Sequence, residues 1–220
     1  MRTVAMVVAA DGPPGAPSLL APLAGKPIVE HSIDAFAAAP EVDEIVLVAP
    51  PGLVRGLPAG RVTLIAGTAG SRAASVARAV EALGEAQCHL LIHDAARPLI
   101  GPRVIAACAA ALGSADAVCA AVPASDTMVT VENDIISERP DRSRLRRREY
   151  PQGFRLPVIR RGYELALADP GYQPTDDCGV VLRYLPGVPV RLVPGSGQGF
   201  PVTSPLDLDI AEAILRAQLR

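Results

Sequence analysis

Residues 90–98, with the sequence LLIHDAARP, place a short apolar run directly before an acid, two alanines, an arginine and a proline. Three consecutive apolar residues predict a strand that is buried on both faces, as in a parallel sheet. Asp94 then follows at the C-terminal end of that strand, where open α/β sheets bind their ligands. Asp94 could hold a divalent cation, and Arg97 a phosphate or a neighbouring carboxylate. The plainer alternative is an aspartate that caps the next helix and an arginine on the surface.

Composition narrows the class of protein. The chain has 220 residues, half of them apolar, which fits one large α/β domain. A formal net charge of −2 gives no overall attraction to nucleic acid or to a membrane surface, and 3% aromatic residues offer little for base stacking. The 4 cysteines lack zinc spacing and predict reduced core residues of a cytoplasmic protein. We therefore expect neither nucleic acid nor a membrane as a partner.

Strand and helix patterns alternate along most of the chain. This alternation predicts an α/β fold with a doubly wound, mostly parallel sheet. A second group of elements follows residue 150. Within this group, a helix is expected to begin near Thr175, which could cap it. The predicted strands are residues 3–10, 44–49, 61–66, 89–92, 117–122 and 188–193, and the predicted helices are residues 28–39, 72–83, 104–112, 158–168, 178–185 and 203–219.

Residues 126–138 break that rhythm. Two β-rich runs, 126–131 and 135–138, flank a polar turn and predict a hairpin that stands off the main sheet. The segment that follows, residues 141–149 (DRSRLRRRE), is strongly basic. A solvated face is the plain interpretation, and Arg142 or Arg144 paired with a phosphate is the sharper one.

Two further segments have a plain and a functional interpretation. Residues 11–17 (DGPPGAP) follow the first strand, where nucleotide phosphates usually bind. Three prolines remove amide donors and Asp11 adds a negative charge, so a structural loop is the better prediction for this segment alone. Ser71 or Ser75 could hydrogen-bond a ligand at the start of the helix that follows, or serve only as helix caps.

Taken together, the motifs resemble those of the 2-C-methyl-D-erythritol 4-phosphate cytidylyltransferases, which have a nucleotide-sugar-transferase-like fold. The resemblance covers nearly the whole chain in the same order, and its HDAARP, PQGF and TDD boxes are specific only in combination. The motifs that carry it are Ala9-Ala10, residues 22–27 (PLAGKP), His31-Ser32, residues 72–76 (RAASV), residues 93–98 (HDAARP), Asp126-Thr127, residues 151–154 (PQGF), residues 175–177 (TDD) and Val202-Thr203.

The resemblance implies an enzyme of isoprenoid precursor synthesis. It would transfer the cytidylyl group of CTP to 2-C-methyl-D-erythritol 4-phosphate, a polyol phosphate, and release pyrophosphate with the help of Mg²⁺. Attack of the acceptor phosphate in line on the α-phosphorus relies on positioning and charge neutralisation. The resemblance also implies a cytoplasmic homodimer of one domain, residues 1–220, in which residues 125–150 form a β-arm for dimerisation.

The same resemblance implies roles for individual residues. Asp94 would lie near the metal and the triphosphate, and Arg97 and Arg142 would act beside it in catalysis, part of the site coming from the partner subunit. The residues implied in nucleotide binding are Ala9, Ala10, Asp11, Gly12, Ser75 and Ala95, and those implied in substrate binding are Asp126, Thr127, Thr175 and Thr203.

The chain departs from the family pattern mainly by losing positive charge. Ser18 and Pro201 stand where the family has lysines that bind phosphate, and Lys26 is the single lysine of the chain. Ser125 replaces an arginine, and Tyr150 replaces a threonine. Two alternatives therefore stay open: a catalytically degenerate relative that binds a nucleotide or a partner, and a nucleotidyltransferase with another acceptor.

Overall fold

The computed structural model describes residues 1–10, 12–50, 53, 62–68, 71–172 and 174–218. Eleven strands and six helices are defined in this part of the chain. The strands are β1 (Thr3–Val8), β2 (Pro22–Leu23), β3 (Lys26–Pro27), β4 (Glu44–Ala49), β5 (Thr63–Ala66), β6 (His89–Asp94), β7 (Ala117–Pro123), β8 (Thr130–Glu132), β9 (Ile135–Glu138), β10 (Arg146–Arg155) and β11 (Val190–Pro194). The helices are α1 (Ile28–Ala37), α2 (Arg72–Ala82), α3 (Pro102–Ala111), α4 (Leu156–Leu167), α5 (Asp177–Tyr184) and α6 (Pro205–Gln218).

A seven-stranded sheet with the order β11-β7-β10-β6-β1-β4-β5 forms the centre of the fold. All neighbouring pairs are parallel except those of β10, which runs antiparallel to both β6 and β7. The predicted doubly wound, mostly parallel α/β sheet is therefore confirmed. Parallel pairing of Val8 with Asp94 brings the C-terminal ends of β1 and β6 to one edge of the sheet.

Helices cover both faces of this sheet because the inner strands are apolar on both sides. Every residue of β1 is buried, as in a strand of a parallel sheet with two covered faces. Helices α2, α4 and α5 pack on one face, and α1 and α3 on the other. The four cysteines are buried and free, as predicted. No helix within the described ranges combines the length and the apolar character that a membrane span requires.

The predicted hairpin is present as a separate two-stranded sheet of β8 and β9. Its first strand begins at Thr130, four residues later than the pattern predicted. Asn133 and Asp134 adopt positive φ angles of 51° and 63° in the turn, which these short polar residues tolerate better than most. Large apolar side chains of the hairpin are exposed, including those of Val131, Ile135 and Ile136.

Most of residues 141–149 are exposed, as the solvated-face interpretation predicted, but the segment is not uniform. Its second half, from Arg146, is the beginning of β10, and Glu149 in that strand is buried. This half of the strand pairs with β7 but has no apolar alternation, because its three arginines stay exposed and its buried residue, Glu149, is polar. The pairing register shifts between Arg148 and Gln152, so the intervening residues bulge at the same sheet edge as Asp94.

Four helices begin one or two residues away from their predicted starts: α3 at Pro102, α4 at Leu156, α5 at Asp177 and α6 at Pro205. Asp176, not Thr175, caps α5: its carboxylate accepts a hydrogen bond from the Gly179 amide at 2.9 Å. Helix α4 begins at Leu156, two residues earlier than predicted. Pro157 suits the first turn of a helix, because the N–H that proline lacks would have no partner within the helix there.

Candidate functional site

A cavity of about 320 Å³ opens at the C-terminal ends of β1 and β6, and we call it the first-loop cavity. Its wall includes Ala9 and Ala10 directly after β1, Gly12 and Ser18 in the loop that follows, and Thr203 before α6. A Cβ at Gly12 would lie 2.7 Å from the Cβ of Ala16, so the loop can take this course only with glycine there. The described residues that complete the lining are Pro13, Ala16, Pro17, Leu19, Pro50, Leu53, Ala96 and Val202.

Asp94 lies at the last position of β6, beside this cavity. One carboxylate oxygen accepts a hydrogen bond from the Ala96 amide at 3.0 Å, and the other lies 3.5 Å from Nε of Arg97. The Ala95 amide donates to the Val8 carbonyl at 2.9 Å and thereby extends the pairing of β1 and β6 by one residue. The side chain of Asp94 remains 28% exposed. A partly exposed carboxylate at the end of a central strand can still accept a ligand.

The guanidinium of Arg97 extends from Asp94 toward the segment that precedes α6. It donates a hydrogen bond to the Gly199 carbonyl, and its Cζ lies 4.8 Å from the centroid of the Tyr150 ring. The backbone of the same turn binds this segment too, because the Val202 amide donates to the Ala96 carbonyl at 2.7 Å. Residues 199–202 thus form a wall that is attached to the turn after β6.

Three arginines surround one aromatic ring next to Asp94. The Cζ atoms of Arg72, Arg97 and Arg148 lie 5.7, 4.8 and 5.9 Å from the centroid of the Tyr150 ring. Each distance is within the range of a cation–π interaction. We call these four residues the Tyr150 arginine cluster; they come from α2, the turn after β6, and β10.

Arg72 is held by a buried acid. Its guanidinium donates two hydrogen bonds to the carboxylate of Asp177, at 3.1 and 2.8 Å, and the Asp177 side chain has no exposed surface. The Tyr163 hydroxyl donates to the same carboxylate at 2.6 Å. Burial, together with the charge of Asp177, raises the pKa of Tyr163 well above its usual value, so the phenol stays a donor. This pair fixes the beginning of α2 against the beginning of α5.

Arg148 is held in a similar way. It lies 3.0 Å from the carboxylate of Asp176, which also accepts a hydrogen bond from the side-chain amide of Gln152 at 2.9 Å. The side-chain oxygen of Gln152 in turn accepts from the Cys178 amide at 2.8 Å. Arg148 therefore lies against Asp176 and beside the Tyr150 ring, while 44% of its side chain stays exposed.

His93 packs against the Tyr150 ring of the cluster. Its ring is buried, with the Phe36 and Tyr150 ring centroids at 5.2 and 6.2 Å, and its Nε2 donates to the Arg97 carbonyl at 3.1 Å. Burial lowers the pKa of His93 to about 4. The neutral imidazole thus adds no charge to the arginines above it, while its hydrogen bond fixes the turn at residues 94–97.

The implied nucleotide-binding residues divide into three groups in the structure. Ala9, Ala10 and Gly12 line the first-loop cavity, and Ala95 lies in the turn beside it. Asp11 lies outside the described residues. The Ser75 hydroxyl donates toward the Ser71 and Thr68 carbonyls and accepts from the Thr68 amide, so it already binds the loop before α2. Ser71 caps α2 by accepting from the Ala74 amide, as one of the two predictions for it proposed.

The implied substrate residues do not all lie in one place. Thr127 and Arg142 line a cavity of about 500 Å³ at the base of the hairpin, away from the residues that line the first-loop cavity. Arg142 donates to the Ser125 carbonyl there at 3.0 Å, and Asp126 accepts from the Ser125 hydroxyl. Arg144 is exposed in the adjacent 3₁₀ turn.

The two remaining implied residues lie just before α5 and α6. Thr175 precedes Asp176, the partner of Arg148. Thr203 lines the first-loop cavity, and both its amide and its hydroxyl donate to Asp207, at 3.0 and 3.1 Å.

Sequence reasoning missed three side chains that shape this site: Arg148, Asp176 and Glu149. Arg148 and Glu149 were counted as part of a charged surface because β10 was not predicted. The available signal was the PQGF box, whose position inside a strand would have extended that strand backward into the basic segment. Asp176 belonged to the TDD box, but only its threonine was considered as a functional residue.

Of the two positions where the family has lysines, Ser18 is part of the cavity wall, and Pro201 precedes the wall residue Val202. Ser18 lines the cavity, and its hydroxyl accepts from the Leu20 amide at 3.2 Å. No arginine or lysine is among the described residues that line the first-loop cavity. Lys26, the first residue of β3, pairs with Asp34 instead.

Comparison with known proteins decides the family. The family model described as IspD, 2-C-methyl-D-erythritol 4-phosphate cytidylyltransferase, matches residues 4–217. The chain belongs to this family. The curated cytidylyltransferase of Thermobifida fusca is 48% identical over 214 residues, which cover 91% of this chain and 86% of that protein.

A more distant relative bears a different name. The bifunctional ribulose 5-phosphate reductase/CDP-ribitol pyrophosphorylase Bcs1 of Haemophilus influenzae is 33% identical over 215 residues, which cover 93% of this chain and 45% of that protein. The name of this relative includes a second activity and a different polyol, although its sequence is similar to that of this chain.

Solved structures agree with the family. The 2-C-methyl-D-erythritol 4-phosphate cytidylyltransferase of Thermus thermophilus has a TM-score of 0.79 and 29% identity, and the match covers 96% of this chain and 98% of that one. The 4-diphosphocytidyl-2C-methyl-D-erythritol synthase of Anaerococcus prevotii has a TM-score of 0.86 and covers 98% of both chains at 24% identity, which supports the fold.

Proposed function

We propose that the first-loop cavity, Asp94 and the Tyr150 arginine cluster together form the site of the family reaction, the transfer of the cytidylyl group of CTP to 2-C-methyl-D-erythritol 4-phosphate. The observation that carries this proposal is the position of Asp94, between the cavity on the β1 side and three arginines on the β10 side. The acceptor phosphate would attack the α-phosphorus in line, and pyrophosphate would leave.

The nucleoside part of CTP fits the first-loop cavity best. Ala9, Ala10 and Gly12 have little or no side chain, so a flat base can approach the backbone amides and carbonyls after β1. Ala95 offers backbone atoms on the β6 side, and Ser75 holds the loop before α2. We infer that these groups, with Asp11, bind cytosine and ribose.

The triphosphate and the acceptor phosphate need positive charge. Phosphoryl transfer depends on neutralising charge on the transferred group, and guanidinium groups bind phosphate in a two-pronged manner. A guanidinium has five N–H donors, so the carboxylate partners of Arg72, Arg97 and Arg148 do not use all of them. We infer that Arg97, supported by Arg148, takes over part of the role of the two lysines replaced by Ser18 and Pro201.

A divalent cation fits this site only in company with the nucleotide. No cluster of three or more His, Cys, Asp or Glu side chains able to hold a metal ion occurs in the described part of the chain. Mg²⁺, however, is commonly held by one or two carboxylates and substrate phosphates. Asp94, partly exposed and with acceptor capacity left, would be its protein ligand. When bound, the ion would neutralise part of the charge of the triphosphate.

We further propose that the protein acts as a cytoplasmic homodimer. Residues 125–150 of the domain, which we take to span 1–220, would form the dimerisation arm, and the exposed apolar side chains of the hairpin support this. Thr127 and Arg142 at the base of the arm would then complete the polyol phosphate site of the partner, with Asp126, Thr175 and Thr203. The reduced cysteines support the compartment.

Pyrophosphate release by the purified protein tests the proposed function. CTP, Mg²⁺ and 2-C-methyl-D-erythritol 4-phosphate should give turnover that depends on all three. The variant Arg97→Gln should lose most of it, whereas Arg103→Gln, an exposed arginine at the start of α3, should not. Absence of turnover with every acceptor, combined with tight CTP binding, would instead favour the degenerate relative.

A second candidate is transfer to another polyol phosphate. Tyr150 in place of the family threonine and the name of the Haemophilus influenzae relative favour including it. A panel of acceptors that includes ribitol phosphate decides between the two. The acceptor with the highest kcat/KM is the substrate, and a value for ribitol phosphate tenfold or more above that of methylerythritol phosphate would overturn the first proposal.

A further inference from the structure

Glu149 is a buried carboxylate to which the proposed reaction assigns no role. It lies in β10 next to Tyr150, and only 1% of its surface is exposed. One of its oxygens accepts hydrogen bonds from the amides of Ser196 and Gly197, at 2.9 and 3.4 Å. The other accepts from the Arg147 guanidinium at 3.1 Å. Such a group must keep its partners, because a buried charge without them is costly.

The loop that Glu149 binds, residues 195–199 (GSGQG), is built around this carboxylate. A Cβ at Gly195 would overlap a carboxylate oxygen, and a Cβ at Gly199 would lie 3.2 Å from the carboxylate carbon. Arg147 spans the same gap, because its guanidinium donates both to Glu149 and, at 2.9 Å, to the Gly197 carbonyl. The loop is therefore closed around the acid on several sides.

The far end of this loop reaches the candidate site. The Gly199 carbonyl accepts a hydrogen bond from the Arg97 guanidinium, and the Val202 amide donates to the Ala96 carbonyl at 2.7 Å. Val202 and Thr203 line the first-loop cavity. A continuous series of contacts thus leads from Glu149, through the loop, to the Arg97 side chain and one wall of the cavity.

We propose that Glu149 is a positioning residue for the reaction: its carboxylate holds the loop at residues 195–199 closed, and the closed loop orients Arg97 and the wall formed by Val202 and Thr203. This inference rests on the proposed function for its catalytic consequence. Its structural part, transmission from Glu149 to residue 202, stands on the contacts alone.

The first test replaces one acceptor of the carboxylate. In Glu149→Gln the side chain keeps its size, but either the loop amides or Arg147 lose their acceptor. We expect KM for CTP to rise about tenfold. Glu85→Gln, which changes a fully solvated glutamate on the same protein, should leave KM unchanged. A merely structural role would lower the folded fraction and hence the apparent kcat, with KM unchanged, and that result would overturn the proposal.

The second test opens the loop without removing charge. Gly195→Ala forces a methyl group against the Glu149 carboxylate, so it should raise KM for CTP as Glu149→Gln does. In a Glu149→Ala background the carboxylate is gone and only Cγ1 of Val122 stays close, at 3.1 Å, so Gly195→Ala should add little further change. Independent, additive effects of the two substitutions would show that the loop and Glu149 do not act together.

Amide hydrogen exchange separates this inference from the proposed function. In Glu149→Gln the amides of Ser196, Gly197 and Val202 should exchange faster than in the wild type and in Glu85→Gln. If the wild type has no turnover at all, the proposed function fails while this readout still decides the inference. Faster exchange confined to Ser196 and Gly197, with Val202 unchanged, would contradict transmission to the cavity wall.

Discussion

The first-loop cavity and the Tyr150 arginine cluster flank Asp94 on opposite sides, and they differ in how they can meet a phosphate. The cavity lies on the β1 side, and its described lining is made of small, apolar and hydroxyl side chains. The cluster lies on the β10 side, where three guanidinium groups surround Tyr150. The family positions that lack lysine here, Ser18 and Pro201, belong to or adjoin the first region.

This difference shows that charge can be organised in two ways around one acid. A flexible lysine on a loop supplies a point charge, whereas each arginine of the cluster is held by a carboxylate: Arg72 by Asp177, Arg148 by Asp176 and Arg97 by Asp94. Pairing with a carboxylate neutralises part of the charge of each arginine, but it also fixes the position of the guanidinium group. The account predicts a rigid site on one side of Asp94 and an adaptable, weakly charged pocket on the other.

The largest expected effect is the loss of stability when Asp177, which holds Arg72 of the cluster, is replaced. In Asp177→Ala, Arg72 and the Tyr163 hydroxyl lose a fully buried partner, and breaking a buried pair in this way costs about 3–5 kcal/mol. Urea unfolding measures the loss. Asp116→Ala is the control, because it removes the acid of an exposed pair with Arg155 and should cost only about 0–1 kcal/mol. Similar losses for both variants would mean that the cluster is not a rigid anchor.

The next effect concerns the acid between the two regions. Asp94→Asn keeps an oxygen for the Ala96 amide and so preserves the turn, but it removes the charge. Turnover should fall by about 10²–10³, the typical loss for one preorganised electrostatic group. Steady-state pyrophosphate release measures it, with Asp209→Asn, an exposed aspartate of α6, as the control. An unchanged rate would remove Asp94 from the mechanism.

Restoring the missing charge should have a smaller, opposite effect. Ser18→Lys places a cation on the wall of the first-loop cavity, and KM for CTP should fall about tenfold, since a hydrogen bond to a charged group contributes about 1.5–3 kcal/mol. Ala38→Lys adds the same charge at the exposed end of α1 and should leave KM unchanged. Equal changes in both variants would reflect net charge only, and no change in either would mean that phosphates do not approach Ser18.

The smallest effect concerns the hydrogen bonds that fix the cavity wall before α6. Asp207→Ala removes the acceptor of Thr203 and Ser204, and loss of such a helix cap costs about 1 kcal/mol. Hydrogen bonds from Thr203 and Ser204 lower the pKa of Asp207 below its usual value. The stabilisation should therefore be complete at neutral pH and be lost as the pH falls through the lowered pKa. Unfolding measured from pH 7 to pH 3 checks this sign, with Asp209→Ala as the control.

The fold could be predicted in good part because apolar patterns report burial. The segment 44–49 was predicted with the bounds that β4 has, since every residue but the first is apolar and buried. Strand β10 was missed for the opposite reason. Its first half is polar, and Glu149 and Gln152 are buried only because distant residues supply their partners. Hydropathy alone cannot indicate such a strand, because the partners of its buried polar side chains come from the 196–197 loop and from α5.

The candidate site was predictable to the same extent. Asp94 and Arg97 follow from a strand that ends in an acid, and the structure places them in contact. The direction of the Arg148 side chain, toward Tyr150 and Asp176, could not be predicted, since it depends on the bulge of β10 and on the position of Asp176 at the start of α5. Residues that a partner subunit would supply, such as Arg142, stay predictions.

The most direct test of this account is a crystal structure with a non-hydrolysable CTP analogue and Mg²⁺. The account predicts cytosine against Ala9, Ala10 and Gly12, and the triphosphate directed past Asp94 to the guanidinium groups of Arg97 and Arg148. A triphosphate that lies along residues 13–18, with no arginine of the Tyr150 cluster within hydrogen-bond distance of a phosphate oxygen, would contradict it.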